Sequence, residues 1–239
     1  MAVSISLGST PYLQNGYPSG RNARPFSALL CLERRYKVRR IYLSGPTPAL
    51  QKWIIPLDAE FPLLDSLWIT SLSGGDTTGV ILPRSLRAPN LRHLYLINVA
   101  LQTGAPILTT PIHLVSLILI PTIPPEDLVD LLESISQLKI LLFDFQPIPD
   151  RKVDTRTLAP EAQKAFITLH RLTRLQFRGI SAYLEGILAR IDAPVLGMFF
   201  FRFSDQRSLG TLPNLSRFLE TTAELRFRAV EMKNSTHTL

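Results

Sequence analysis

The sequence predicts a single α/β domain in which parallel strands line the concave side of a curved solenoid, with helices or irregular turns on its convex side. Three observations lead to this prediction. A short spacing pattern of apolar residues recurs along most of the 239-residue chain. The stretches between its copies place apolar residues at helical spacing. A content of 46% hydrophobic and 19% charged residues provides enough apolar surface for a core and excludes a disordered chain.

The recurring pattern is an apolar residue, two residues of any kind, an apolar residue, one residue of any kind and a third apolar residue. Its eight copies, of which the last begins with a polar residue, are Val38, Ile41 and Leu43; Leu64, Leu67 and Ile69; Leu91, Leu94 and Leu96; Leu114, Leu117 and Leu119; Leu138, Leu141 and Phe143; Leu172, Leu175 and Phe177; Leu196, Phe199 and Phe201; and Thr222, Leu225 and Phe227. The middle residues are 26, 27, 23, 24, 34, 24 and 26 residues apart. These steps fit the period of about 20–29 residues of leucine-rich repeats, with one insertion.

The spacing within each copy explains why the copies must stack. The last two apolar residues lie two apart, so they face the same side of a short strand. A single copy cannot bury that side, whereas stacked copies can. The position three residues further on, which usually holds Asn or Cys in such repeats, holds mixed residues from Pro46 to Val230, so we predict irregular units without a ladder of buried Asn side chains.

Along the chain, residues 1–25 are rich in Ser, Gly and Pro without periodicity, and we expect them to be loosely ordered. The repeat domain is predicted over residues 26–232, with a helix around Phe26 to Tyr36 before its first strand. A surface insertion at about 147–168 accounts for the longest step and contains a predicted helix from Ala159 to Ile167. Residues 233–239 are predicted to form a tail.

Three further helices are predicted between the strands, after Pro48, after the pair Pro124 and Pro125, and after Ser181. Each is indicated by apolar residues three and four positions apart. These core residues are Leu50, Trp53, Ile54 and Leu57; Leu128, Leu131, Leu132 and Ile135; and Leu184, Ile187, Leu188 and Ile191. Strands and helices therefore alternate, which is typical of a parallel sheet.

The sequence carries no motif for catalysis or metal binding. The single cysteine, Cys31, excludes an intramolecular disulfide and a zinc site with several thiolates. His93, His113 and His170 lack the spacing of metal ligands. The stretch SGGDTTGV lacks the ending of a phosphate loop, and no serine lies in a nucleophile elbow. We therefore expect no cofactor, no metal and no enzymatic activity.

Charge and hydropathy bear on location and partners. No apolar stretch reaches the roughly 20 residues of a membrane-spanning helix, and the N-terminus lacks the basic start and apolar run of a secretory signal. We therefore predict no membrane contact and a cytoplasmic or nuclear location. The formal net charge of +7 includes a basic cluster of Arg34, Arg35, Lys37, Arg39 and Arg40. We interpret this cluster as a solvated helix end, with a nuclear localisation or nucleic-acid patch as the alternative.

The candidate binding residues are those that alternate with the apolar positions of each strand, because they should face the concave side, where solenoids bind. The middle position of this row is rich in aromatic and apolar residues, namely Tyr42, Trp68, Tyr95, Ile118, Leu142, Gln176, Phe200 and Arg226. Flanking positions hold Arg40, His93, Arg174, Arg178, Arg202 and Arg228. Because Tyr, Trp and Arg dominate binding hot spots, we predict a groove for a protein partner with acidic and apolar groups.

Two alternatives to this groove stay open. A register shift of one residue would turn the row into the core, and the tails of the chain could cover it. Aromatic residues alternating with arginines also suit stacking on single-stranded nucleic acid, although no recognition motif accompanies them here, so this function is disfavoured.

Several phrases carry a family resemblance. The stretches LRAPNLRHLYLINVAL, ILTTPIHLVSLIL, RLQFRGISAYLEGILARIDAPVL and FLETTAELRF resemble the leucine-rich repeats of fungal F-box domain-containing proteins. The resemblance runs over roughly residues 28–232. In that family the F-box docks onto the Skp1-type adaptor of a cullin-type ubiquitin ligase, and the repeats select the protein to be modified.

The resemblance therefore implies a non-catalytic module for substrate recognition. The sequence before Val38 predicts one helix and no F-box, so a Skp1-type adaptor is an expected partner only if an F-box lies upstream. A truncated copy without a stable partner is the remaining alternative.

Overall fold

A computed structural model describes residues 3–7, 35–72, 80–100, 106–109, 113–120, 125–135, 137–145, 166–203 and 211–222. The chain forms two compact units, unit 1 at Met1–Thr122 and unit 2 at Ile123–Leu239. Both units combine parallel strands with helices, which confirms the predicted α/β class. No helix among the described residues is long and apolar enough to cross a membrane.

Unit 1 is built on a parallel sheet in the order β1-β2-β3-β5-β7, and β4 pairs with β6 in a second, two-stranded sheet. Its strands are β1 (Val3–Leu7), β2 (Val38–Gly45), β3 (Ser66–Ser71), β4 (Val80–Ile81), β5 (His93–Ile97), β6 (Val99–Ala100) and β7 (Ser116–Ile120). Its helices are α1 (Thr47–Ile54) and α2 (Pro106–Thr109), and Arg35–Lys37 and Ile55–Leu57 form short 3-10 helices.

Unit 2 has the parallel sheet β8-β10-β12 and a second sheet in which β9 pairs with β11. Its strands are β8 (Ile140–Asp144), β9 (Ile167–Thr168), β10 (Arg174–Gly179), β11 (Ile191–Asp192) and β12 (Met198–Phe203). Its helices are α3 (Pro125–Ser134), α4 (Ser181–Leu188) and α5 (Pro213–Thr221).

The predicted apolar pattern coincides with the core of both units. All three of its residues are at most 4% exposed in the repeats of β2, β3, β5, β7, β8 and β10. In the repeat of β12, Leu196 is buried, whereas Phe199 and Phe201 are only half-buried. Thr222, the polar first residue of the eighth copy, is buried, and its hydroxyl donates to the Phe218 carbonyl at 2.7 Å. Leu225 and Phe227 lie outside the described residues.

A turn that precedes five of the strands, β3, β5, β8, β10 and β12, adds a fourth buried position to the repeat. The N–H of the first apolar residue donates to the carbonyl three residues earlier, at 3.0–3.4 Å. These pairs are Leu64 with Phe61, Leu91 with Ala88, Leu138 with Ile135, Leu172 with Leu169, and Leu196 with Ala193. All five acceptor residues are buried. The sequence pattern missed this position because its residue type varies between repeats, from Ala to Leu, Ile and Phe.

The three helices predicted between strands are confirmed as α1, α3 and α4, which begin at Thr47, Pro125 and Ser181. The predicted core residues are buried as expected, except that Trp53 is half-buried. Ile191 is buried but belongs to β11 and not to a helix.

Two predictions about less regular segments are wrong. Val3–Leu7, expected to be loosely ordered, forms β1 and pairs with β2. The reason is visible in its VSISL sequence, which alternates apolar residues with serine at the period of a strand. Ile167 lies in β9 and not at the end of a helix, since its N–H donates to the Arg190 carbonyl of the next repeat at 2.8 Å.

Most of the other predicted segments lie outside the described residues, namely 8–25, the greater part of the helix at Phe26–Tyr36, the insertion up to residue 165, and the tail at 233–239. Tyr36 itself lies in the 3-10 helix Arg35–Lys37.

Helix α5 was not predicted, and its first turn is capped by a side chain from α4. Its N-cap residue, Leu212, makes no side-chain cap. Instead, the Glu185 carboxylate accepts the N–H groups of Asn214 and Leu215 at 2.9 and 2.8 Å. These are two of the donors that a helix leaves unpaired at its start, and the helix dipole favours an anion there. Only the packing of α4 against α5 brings this carboxylate into place.

Replacing Glu185 with Ala is expected to lower the free energy of unfolding by about 1–2 kcal/mol, because two backbone donors lose a charged acceptor. Urea unfolding monitored by circular dichroism measures the change. Glu220→Ala is the matched control, since Glu220 lies exposed on α5. Equal effects of the two substitutions would show that the Glu185 cap does not stabilise α5.

Candidate protein-binding face

An aromatic row, formed by Tyr42, Trp68 and Tyr95, crosses the unit 1 sheet from β2 to β5. The three residues are direct partners in the strand register, and Ile118 on β7 continues the row. Successive side chains of a strand point to opposite faces, and the neighbouring residues of each strand are buried in the core. The row therefore lies on the face opposite the core, which we call the binding face, and all four side chains are half-buried.

The rings of the aromatic row contact one another in sequence. The ring centroids of Tyr42 and Trp68 are 5.5 Å apart with planes tilted by 49°. Those of Trp68 and Tyr95 are stacked, 3.8 Å apart at 29°. The Ser116 hydroxyl donates to the Tyr95 hydroxyl at 3.4 Å. Each ring thus limits the rotation of its neighbour, so the row presents a rigid apolar surface.

Two further rows flank the aromatic row on the binding face. At the end where the strands begin lie Arg40, Ser66, His93 and Ser116, and at the opposite end lie Ser44, Thr70, Ile97 and Ile120. Ser66 and Ser116 are buried. The Ser66 hydroxyl donates to the Asp65 carboxylate at 3.0 Å. Along the strand direction, the face therefore carries first basic and polar residues, then the aromatic row, and then hydroxyl-bearing and aliphatic residues.

The corresponding face of unit 2 mixes apolar and charged residues. Leu142, Gln176 and Phe200 are register partners in β8, β10 and β12, and all three are half-buried. On one side of this row, Arg174 and Met198 are exposed. On the other side lie Asp144, Arg178 and Arg202, which are also register partners. The Arg178 guanidinium is 3.6 Å from the Asp144 carboxylate.

Each predicted binding residue that the structure describes lies on a face opposite the core. For the aromatic row of unit 1, the alternative of a one-residue register shift is wrong, because the neighbouring residues Ile41, Leu67 and Leu94 are the buried ones. In unit 1 the fold brings Tyr42, Trp68, Tyr95 and Ile118 together, and in unit 2 it brings together Leu142, Arg174, Arg178, Phe200 and Arg202. Arg226 and Arg228 lie outside the described residues.

Sequence reasoning missed Asn98, which links three repeats just beyond the binding face. It has a φ of 54°, a left-handed conformation that Asn tolerates better than most residues. Its side-chain amide donates to the Ser71 carbonyl at 3.1 Å, and its backbone N–H donates to the Ile120 carbonyl at 3.0 Å. It stands one position before the one expected for Asn, so a fixed spacing could not identify it.

Asp65 is a second residue that the sequence did not single out. It is the residue before β3, and its carboxylate lies 3.8 Å from the Arg92 guanidinium. Its backbone carbonyl accepts the N–H groups of Arg92 and His93 at 2.8 and 3.0 Å, and its own N–H donates to the Arg39 carbonyl at 2.8 Å. Asp65 therefore joins three neighbouring repeats while placing a negative charge at the basic end of the binding face.

Within the described ranges, His, Cys, Asp and Glu side chains form no group of three or more that could hold a metal ion. Comparison with family models, with curated proteins and with solved structures found no match for this chain. The arrangement of the binding face therefore carries the functional interpretation on its own.

Proposed function

We propose that the chain is a non-catalytic protein-binding module whose partner docks on the binding face of unit 1. The observation that carries this proposal is the aromatic row, in which Tyr42, Trp68 and Tyr95 contact one another on the face opposite the core. An aromatic strip on an open sheet face offers a large rigid contact area, and its hydroxyl groups add hydrogen bonds.

The proposed fold is a leucine-rich-repeat solenoid. Two features support it in each unit. The buried apolar pattern recurs with the period of such repeats, and the same turn precedes the strands. A pair of hydrogen bonds also recurs between neighbouring repeats. In each pair, two consecutive N–H groups donate to one carbonyl of the preceding repeat. These pairs are Arg92 and His93 with Asp65, Val115 and Ser116 with Arg92, Thr173 and Arg174 with Lys139, and Gly197 and Met198 with Thr173.

Within this class we propose a role like that of the substrate-recognition repeats of F-box proteins, which the sequence resembles. On the face of unit 2, taken by itself, Leu142 and Phe200 would offer apolar contacts and Arg174, Arg178 and Arg202 charged ones, with Arg178 already 3.6 Å from the Asp144 carboxylate. The role of a Skp1-type adaptor depends on an F-box outside this sequence, so it forms no part of the binding proposal.

Trp68→Ala is expected to weaken partner binding at least about tenfold, because an aromatic hot-spot residue commonly contributes 2 kcal/mol or more. Peptides selected by display on the wild-type chain supply the ligands, and fluorescence anisotropy measures their dissociation constants. Ile55→Ala is the control, since Ile55 is 63% exposed but lies in the 3-10 helix after α1, away from the binding face.

Circular dichroism of both variants checks that they remain folded. The proposal is refuted if the selected peptides bind Trp68→Ala and Ile55→Ala as tightly as wild type while both variants are folded. Phe200→Ala, tested in the same way, reports whether the face of unit 2 takes part.

A further inference from the structure

The end of the binding face where the strands begin is basic. Lys37, Arg39, Arg40 and Arg92 are all exposed there, and His93 lies beside them. An acidic residue, Asp65, lies at the same end, directly before β3. The local excess of cations therefore adjoins the aromatic row on the same sheet.

Two exposed residues between the first and second apolar positions of a repeat recur along the chain, so Arg39 and Arg40 both reach solvent at this end. They are exposed between the buried Val38 and Ile41, just as Thr173 and Arg174 are exposed between the buried Leu172 and Leu175. The register of β1 and β2 is also irregular here, since Val38 pairs with Val3 and Arg40 pairs with Ser4.

The basic charge is not spread evenly along the aromatic row. The Asp65 carboxylate is engaged by Arg92 at 3.8 Å and by the Ser66 hydroxyl at 3.0 Å, so it offsets the charge of Arg92 in front of β3 and β5. Lys37, Arg39 and Arg40 have no ion pair within the described part of unit 1. On the part of the binding face that the structure describes, the cations without an ion pair therefore lie at β2, at one corner of the face.

We propose that the binding face takes an extended segment of the partner protein in which acidic residues adjoin aromatic or aliphatic residues. Its carboxylates lie at the β2 corner, on Lys37, Arg39 and Arg40, and its apolar side chains lie across Trp68 and Tyr95. In front of β3 the Arg92 guanidinium is already paired with Asp65, so the carboxylates of the segment find their cations at β2, and this sets the direction of the segment. The inference rests on the proposed function and adds the chemistry and direction of the ligand.

Charge placement favours an acidic protein segment over single-stranded nucleic acid. Proteins that bind single strands place cations along the whole backbone track beside the stacking rings. Here the described cations without an ion pair lie at one corner, and a carboxylate, Asp65, stands beside the middle of the row. Arginine pairs well with carboxylates because its planar group can donate two parallel hydrogen bonds.

A charge-swap selection tests the inference. Peptides are selected by display from a random library on the wild-type chain and on the double variant Arg39→Glu/Arg40→Glu. The wild-type chain is expected to enrich Asp or Glu next to Trp, Phe or Leu, and the double variant to enrich Lys or Arg in place of the acidic residues. Lys52→Glu/Arg87→Glu changes the net charge equally at exposed positions outside the binding face and should enrich the same peptides as wild type.

Dissociation constants of the leading acidic peptide give the size of the effect. We expect a loss of at least about tenfold for Arg39→Glu/Arg40→Glu and no change for Lys52→Glu/Arg87→Glu. Asp65→Asn should bind the same peptide about twofold to fivefold more tightly, because a like charge beside the ligand is removed. The affinity of the wild-type chain for the acidic peptide should fall as the salt concentration rises, because salt screens the charges.

The outcomes separate this inference from the proposed function. If Trp68→Ala loses binding but the arginine variant behaves like its control, the face binds partners without the acidic preference and the inference is overturned. If Trp68→Ala keeps full affinity, the proposed function fails instead. Tighter binding of a labelled oligothymidylate than of every selected peptide, with the same dependence on Arg39 and Arg40, would overturn the acidic-segment inference in favour of nucleic acid.

Discussion

Leu67→Ala should lower the free energy of unfolding by about 2–5 kcal/mol, whereas Trp68→Ala, one residue further on, should lower it by only about 1–2 kcal/mol. Leu67 is completely buried in the core of unit 1. Its truncation removes buried apolar contacts and leaves a cavity that the parallel strands cannot close. Trp68 is half-buried on the binding face, so its removal costs ring contacts with Tyr42 and Tyr95 but opens no cavity in the core.

Urea unfolding monitored by far-ultraviolet circular dichroism measures both changes. The chain has two tryptophans, Trp53 and Trp68, so in Trp68→Ala the remaining fluorescence reports on α1 alone. Trp53 packs near Gly45 of β2, which makes it a reporter for unit 1. A larger loss for Trp68→Ala than for Leu67→Ala would place the indole in the core and contradict both the binding face and the proposed function.

Gly179→Ala should destabilise unit 2 by about 2–5 kcal/mol. Gly179 has a φ of 150°, which L-residues with a side chain rarely adopt. A Cβ atom there would lie 2.9 Å from the Phe145 Cβ, 3.0 Å from the Phe177 ring and 3.1 Å from the Phe145 carbonyl oxygen. Relief of this overlap would need movement of backbone at the end of β8, because two of the three contacts are not flexible side-chain ends.

Gly197→Ala is the matched control in the same unit. A Cβ atom at Gly197 would come no closer than 3.9 Å to the Thr173 carbonyl, which is ordinary contact. We expect a change within about 1 kcal/mol of zero, since the added methyl group also restricts the unfolded chain. The midpoints and slopes of urea unfolding give the free energy of unfolding of both variants for this comparison. Equal stability of the two variants would mean that the end of β10 does not approach Phe145 as closely as described.

The stability of the core affects the proposed binding. The aromatic row can recognise a partner only if the strands that carry it hold their register, and the buried neighbours Ile41, Leu67 and Leu94 maintain that register. A destabilised core would loosen the spacing between rings and reduce binding without touching the partner. Stability must therefore be measured for every variant whose binding is compared.

The acidic preference proposed for the partner has a consequence for selectivity. Lys37, Arg39 and Arg40 provide attraction at one corner, whereas the pair of Asp65 and Arg92 leaves little net charge beside the middle of the aromatic row. Attraction confined to one corner favours partners whose acidic residues lie at one end of an apolar segment. An apolar segment without acidic residues would still meet the rings, so the charges are expected to decide which apolar segments bind.

Local spacing was sufficient to predict the strands and three of the helices. The alternation around Leu67 and Leu94 indicates which side chains are buried, because a strand that exposes one face must follow a period of two. The same period of two predicts that Tyr42, Trp68 and Tyr95 lie on the opposite face. The VSISL segment carried the same signal, but the surrounding Ser, Gly and Pro residues obscured it.

The features that define the candidate site in detail depend on contacts between repeats. Asn98 forms hydrogen bonds with Ser71 and Ile120, which lie 27 and 22 residues away in the chain. Asp65 forms an ion pair with Arg92, which lies one repeat further along the chain. The irregular register at Arg39 depends on the partner strand β1, which begins 36 residues earlier. No local pattern contains such pairings.

The sequence by itself determined the α/β class, the repeating core and the side of each strand that carries the aromatic residues. These properties follow from apolar burial, which has a fixed period in a strand or a helix and can be read from spacing alone. Only the tertiary structure decided that the rings contact one another and that Asp65 pairs with Arg92. Hydrogen bonds and ion pairs depend on positions within a few tenths of an ångström, and the stacking of distant repeats sets those positions.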